Sequence, residues 1–209
     1  MAFADYKNIA MVLQRFSIKY TEEDFVKINN VEIHPFFVED FLFSKSHIDI
    51  RVSEYAICET MVYPILKELY KRYADCFALW SHRPFQYDED LSGTPDYIVA
   101  TASELGRIVF GRPVLLLVEA KRNDFIEGWG QCAAAMVAAQ KLNGDATFAV
   151  YGIVTDGEVW RFGKLVESTF TDNGTFYTTK DLSELFGALD FVLATLKRQL
   201  LEMWRPTPV

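Results

Sequence analysis

Residues 113–121 read PVLLLVEAK. Residues 113–120 make a run of strand length, apolar at both parities from Val114 to Val118, which predicts a central strand covered on both faces. Residues two apart on a strand point to the same side. Glu119 and Lys121 therefore project together from the strand end, while Ala120 faces the other way. A carboxylate and an ammonium in such a place are costly unless they pair or bind something.

Upstream, residues 53–73 predict a helix with Ser53 as N-cap and an apolar stripe of Cys58, Met61, Val62, Ile65, Leu66, Leu69 and Tyr73. Residues 75–82 read as a strand, 83–93 as a polar loop, and Gly93-Thr94-Pro95 as a turn into a strand over 96–101 that opens on Asp96. Residues 106–111 read as irregular or hairpin. Downstream, residues 123–141 form a helix apolar on nearly every side, hence buried, ended by Asn143-Gly144. A strand over 146–154, a turn at Asp156-Gly157 and a return strand over 158–164 follow. Asp172-Asn173-Gly174 predicts a second hairpin, and residues 181–204 an amphipathic helix capped by Asp181 or Ser183 and reaching Trp204. The fold class is α/β, with a mixed central sheet flanked by helices.

The chain has 209 residues, a length that fits one domain. It divides into an N-terminal extension (1–50) packed on the main body, a core (51–164) and a C-terminal hairpin and helix (165–209). Within the extension, residues 8–18 suit a helix, and the aromatic stretch 31–43 carries His34-Pro35 as a breaker. Cys58, Cys76 and Cys132 are odd in number and sit in apolar runs, as reduced core thiols of a cytoplasmic protein do. The N-terminus lacks a signal-peptide pattern, and no apolar run approaches a membrane span, so no membrane partner is expected. His34, His47 and His82 show no zinc spacing.

The net charge of −8 argues against binding nucleic acid through bulk charge, and leaves room for a local basic groove. Lys67, Lys71, Arg72, Arg83, Lys121 and Arg122 are the nearest basic set, although Glu68 can pair with Arg72 on the helix surface. The acidic loop Asp88-Glu89-Asp90 would repel phosphate. Trp80, Tyr87 and Trp129 suit either base stacking or core packing.

Asp96, Glu119 and Lys121 admit two readings. In one, the carboxylates share a hard divalent cation, Mg²⁺ or Mn²⁺, and Lys121 orients the attacking water or stabilises phosphate oxygens. In the other, Lys121 and Glu119 are a buried ion pair and Asp96 caps a turn.

Pro95-Asp96, then Glu119-Ala120-Lys121, in the order α-β-β-β-α-β, resembles the PD-(D/E)xK nuclease superfamily, with its restriction-endonuclease-like core. The similarity is strongest to the nuclease domain at the N-terminus of type I restriction motor subunits and to stand-alone bacterial relatives. It covers roughly residues 53–164, including Gly93-Thr94-Pro95-Asp96-Tyr97, Val118-Glu119-Ala120-Lys121 and the stretch 154–160. The resemblance implies a Mg²⁺-dependent nuclease acting on DNA, with Asp96 and Glu119 as metal ligands and Lys121 catalytic. It further implies a glutamate on the first helix, for which Glu54 is the better candidate than Glu59, and a glutamine on the following helix, Gln131. Glu54 also suits a first helical turn as a plain acid, and Gln131 also suits a satisfied core amide. Some relatives carry an aromatic residue where this chain has Ala135. Gly128 and Gly130, flanking Trp129, read as close backbone approach or a frayed first turn. The alternatives are a catalytically inactive nuclease-fold module that binds a protein or nucleic-acid partner, and an enzyme for a smaller phosphate substrate. A protein partner supplying affinity and a homodimer are compatible with either.

Overall fold

The structure, a computed structural model, describes residues 2–203. Trp204 lies outside the described residues. Asn8 opens α1 (Ile9–Phe16) by accepting the Met11 N–H at 3.1 Å. The chain then enters β1 (Lys19–Glu22), an edge strand with every residue exposed. The helix α2 (Pro35–His47) starts at the His34-Pro35 pair, which corrects the reading of that pair as a breaker. Proline's missing N–H and fixed φ are harmless in a first turn, and the His34 ring accepts the Phe36 N–H.

Ser53 caps α3 (Glu54–Ile57), accepting the Ala56 N–H at 3.1 Å. The helix continues through a π-helical turn, Cys58–Val62, into α4 (Tyr63–Tyr70). Pro64 has no N–H to donate, and the Tyr63 N–H reaches back five residues to the Cys58 carbonyl. The expected single regular helix to Tyr73 is thus widened in its middle, and residues 71–76 form turns.

Next come β2 (Phe77–Ser81), then β3 (Phe85–Gln86) and β4 (Ser92–Gly93), a small separate ribbon where the sequence suggested only a loop. Phe85 and Leu91 are buried there, so this polar segment carries its own apolar anchors. The strands β5 (Tyr97–Thr101) and β6 (Val114–Ala120) are buried throughout. Asp124 caps α5 (Phe125–Asn143), and Gly144 closes it at φ +76°. The remaining elements are β7 (Val150–Thr155), β8 (Val159–Val166), β9 (Thr169–Asp172), β10 (Tyr177–Thr178) and α6 (Leu182–Met203). Asp181 is the cap of α6, accepting the Glu184 N–H.

The main sheet runs β1-β9-β8-β7-β6-β5-β2, with β10 added to β8. β6 and β7 are parallel, as are β1 and β9, and the other pairs are antiparallel. The molecule is therefore α/β with a mixed sheet. The helices α2, α3, α4 and α6 cover one face, and α1 and α5 cover the other.

Two expectations change at the C-terminal side. The turn after β8 is at Glu167-Ser168, with Glu167 at φ +50°. β9 and β10 both pair with β8 rather than with each other. Asn173, expected in a hairpin turn, is buried; its side chain accepts the Val26 N–H and donates to the Thr175 carbonyl. The turn-forming residue is spent on holding the N-terminal extension. That extension is also more than a cover, because β1 extends the sheet through Lys19↔Thr169 to Glu22↔Asp172.

Among the described residues, no helix is long and apolar enough to cross a membrane.

The glycines of α5 mark close approach, not fraying. A Cβ on Gly130 would lie 2.1 Å from the Tyr6 carbonyl oxygen and 2.7 Å from the Asn8 nitrogen. Both are backbone atoms, so Gly130→Ala must push the N-terminal segment off α5. The expected loss is about 1–3 kcal/mol, as for other overpacking changes. Urea unfolding checks it: the midpoint should drop with an unchanged slope.

Candidate active site

Tyr97 of β5 pairs with Val118 of β6. Asp96, one residue earlier, therefore falls level with Glu119, and residues opposed across an antiparallel pair share a face. The Asp96 carboxylate is pinned by its own neighbour strand: Oδ2 accepts the Ala120 N–H at 2.7 Å. Lys121 leaves β6 just beyond Glu119, and its Nζ lies 3.1 Å from Glu119 Oε1 and 3.3 Å from Glu54 Oε2. Glu54 comes from the first turn of α3, as Ser53 capping requires. The structure thus brings together Asp96, Glu119, Lys121 and Glu54.

It does not bring Gln131 to them. That amide donates to Glu127 Oε1 at 3.1 Å, one turn earlier on α5, and Glu127 also holds Lys7 at 2.8 Å. Among the described residues, no hydrogen bond joins Gln131 to Lys121 or to the carboxylates. The α5 residue that does approach Lys121 is Gly128: a Cβ there would sit 3.1 Å from Lys121 Cγ and 2.5 Å from Val154 Cγ1. A bare backbone at this point leaves room for the lysine stem.

The site is desolvated around Glu119 and Lys121 and rich in carboxyl groups. The side chains of Lys121 and Glu119 keep only 13% and 10% of their surface. Burial, then the charge of Asp96, pushes the Glu119 carboxyl up to about 8, against the pull of Lys121. Burial also raises Asp96, opposed by the Ala120 N–H, Lys121 and His82. Burial alone would lower Lys121, but Glu119, Glu54 and Asp96 together raise it, so it stays charged. One ammonium thus faces three carboxylates. Two desolvated carboxyl groups side by side, one of which holds a proton that a cation can replace, are a hard-oxygen donor set that fits Mg²⁺ or Mn²⁺ on Asp96 and Glu119.

Two neighbours were not legible as site residues. Ser81 pairs with Tyr97, so His82 at the end of β2 comes level with Asp96. Its N–H donates to the Asp96 carbonyl at 2.8 Å, and its Nε2 lies 3.3 Å from Asp96 Oδ1. Cys58, in the π-helical turn, closes the other side. The scatter of histidines along the sequence hides this; only the β2–β5 register places His82.

The expected basic set does not converge. Lys71 pairs with Glu68, Arg72 with Asp190 at 3.2 Å, and Arg83 lies over the Trp80 ring. This replaces the expected Glu68–Arg72 pair. Arg122 remains beside the site, donating to the Arg51 carbonyl at 3.2 Å. Arg51, Arg122 and Asn123 line a cleft of about 310 Å³ with Ile57, Asp156 and Glu158. Of the candidate stacking residues, Trp129 is buried edge-on against Phe170, and Tyr87 lies under Lys141.

No protein-family model matches the chain, and no curated protein matches it in sequence.

The site should make stability depend on pH in a set direction. Glu119 and Asp96 bind protons more tightly folded than unfolded. Metal-free stability therefore falls as pH rises from the ordinary carboxylate range to about 8 for Glu119. Melting in chelator should show this fall, Glu119→Gln should flatten it, and Mg²⁺ should restore the wild-type melting temperature at the high-pH end.

Proposed function

We propose that the chain is a Mg²⁺- or Mn²⁺-dependent hydrolase of DNA phosphodiester bonds, built on a restriction-endonuclease-like core. The observation that carries this reading is the convergence of Asp96, Glu119 and Lys121 at the end of a fully buried strand, with Glu54 delivered from the preceding helix. The order α3–α4, β2, β5, β6, α5, β7 is that of the PD-(D/E)xK resemblance and supports it.

In this reading Asp96 and Glu119 hold the cation. Bound there, it would lower the pKa of a coordinated water and offset charge on the phosphate. Lys121 donates to the attacking water or to a phosphate oxygen. Glu119 and Glu54 flank its Nζ and fix its direction. The Ala120 N–H on Asp96 Oδ2 holds that carboxylate still, which is the preorganisation such a site requires. Arg51 and Arg122, in the adjoining cleft, are the cations nearest a phosphate backbone. With a net charge of −8 and so few local cations, the chain's own affinity for DNA is weak, and a protein partner or a second copy supplies the remainder.

One observation favours a second reading, an inactive nuclease-fold module that binds a partner. Gln131 is turned onto Glu127 and away from Lys121. The two readings separate in one experiment. The protein is incubated with Mg²⁺ or Mn²⁺ and single-stranded, duplex, branched and modified DNA. The enzyme predicts metal-dependent cutting that falls at least ~100-fold in Glu119→Ala and in Lys121→Ala. Wild type and variants equally inert, with no Mg²⁺ or Mn²⁺ binding by calorimetry, would overturn it.

A further inference from the structure

Asp96 also belongs to a second donor set of different chemistry. Cys58 Sγ, a ring nitrogen of His82 and a carboxylate oxygen of Asp96 all lie within 4.8 Å of one another. We propose that Cys58, His82 and Asp96 form a binding site for a borderline-soft transition-metal ion of the Zn²⁺ or Co²⁺ kind.

Three observations on His82 carry this. Its Nε2 is shielded from solvent and makes no hydrogen bond, although Asp96 Oδ1 is only 3.3 Å away. The oxygen therefore lies off the direction in which a ring N–H would point. A proton on Nε2 does not join the two atoms. A metal ion does, because tetrahedral ligands meet at the ion and not along the line between them. Second, Nδ1 lies 2.8 Å from Ser81 Oγ. With the Nδ1 proton given to that hydroxyl, Nε2 keeps a free lone pair beside Asp96, the protonation that metal-bound histidines take elsewhere. Third, His82 sits at φ +47°, an uncommon backbone for a residue with a side chain. Its N–H bond to the Asp96 carbonyl fixes it there.

The ring is also wedged: Tyr55 and Tyr97 both pack on it with centroids at 5.7 Å. Cys58 is carried by the wide π-helical turn, and such turns recur at functional sites. Sulfur, imidazole and one carboxylate together suit Zn²⁺ or Co²⁺, and the sulfur and imidazole are poor ligands for Mg²⁺. Binding replaces the thiol proton with the metal, so one proton leaves to solvent. Three protein ligands leave a fourth position for water. The inference stands on the trio itself and holds whatever reaction Glu119 and Lys121 support.

Cobalt gives a readout independent of catalysis. The full chain, stripped with chelator, is titrated with Co²⁺. The expected result is tetrahedral visible bands together with a thiolate-to-cobalt charge-transfer band in the near ultraviolet, both displaced by Zn²⁺. Cys58→Ser should remove the charge-transfer band, and Cys76→Ser should leave it. His82→Asn, at a partly exposed ring, should weaken Co²⁺ binding at least about 10-fold. Circular dichroism of each variant in chelator confirms that it is folded. Absence of the charge-transfer band in saturated wild type, its persistence in Cys58→Ser, or unchanged affinity in folded His82→Asn each overturns the proposal. Absence of the band in saturated wild type overturns the proposal even where a variant does not fold.

Discussion

The constraint on which the architecture turns is the burial of an acidic strand end. Glu119 lies at the end of β6, whose residues are all buried, and Lys121 follows the strand directly. Desolvating a carboxylate costs several kcal/mol unless something compensates. Lys121 compensates part of it, and the arrangement of the surrounding elements follows from that need. Asp96 adds a second carboxylate and so enlarges the problem, yet the Ala120 N–H holds it in place. A fold that only needed a stable core would gain from an apolar pair here. The retained charges are a local conflict with the otherwise consistent core, and such conflicts concentrate at functional positions.

Packing around this point is shaped to tolerate it. The glycines at 128 and 130 let α5 lie against Lys121 and against the Tyr6 backbone. Gly157, at φ +87°, approaches Ile57 and Met61 and seats the β7–β8 turn against the π-helical segment. Pro64 is the chemical origin of that segment's width. The residues nearest the site are thus held by backbone contacts rather than by long flexible side chains, which keeps the carboxylates from moving apart to lower their repulsion.

What the sequence showed depended on how local the signal was. β6 announced itself through a run of apolar residues, and α5 through its alanines and Gly144. The pairing of Glu119 with Lys121 followed from strand parity alone. Glu54 came only through the resemblance, which asks for a glutamate on the first helix, and through its place at the edge of the apolar stripe. Signals that act across the chain were invisible. β1 has four exposed residues and no apolar pattern, because an edge strand paired on one side needs none. Asn173 looked like a turn residue since its amide was read against local backbone, whereas it serves Val26 far upstream. His82 reached the site through the β2–β5 register, which no spacing in the sequence encodes. Gln131 was placed by helix face, but Glu127, a turn away on the same helix, captured its amide.

The parallel pairing of β1 with β9 bears on how the chain is made. Lys19 meets Thr169, a separation of 169 − 19 = 150 residues. At roughly 5–20 residues per second of synthesis, the strand waits roughly 8–30 s after it emerges before its partner exists. Throughout that interval it is an open edge on a nascent chain. Its composition suits the wait: Lys19 and Glu22 bracket Tyr20 and Thr21, so the unpaired strand offers charge at both ends and little apolar surface to a neighbouring ribosome's product. The earliest-synthesised strand of the sheet is thereby among the last to be seated.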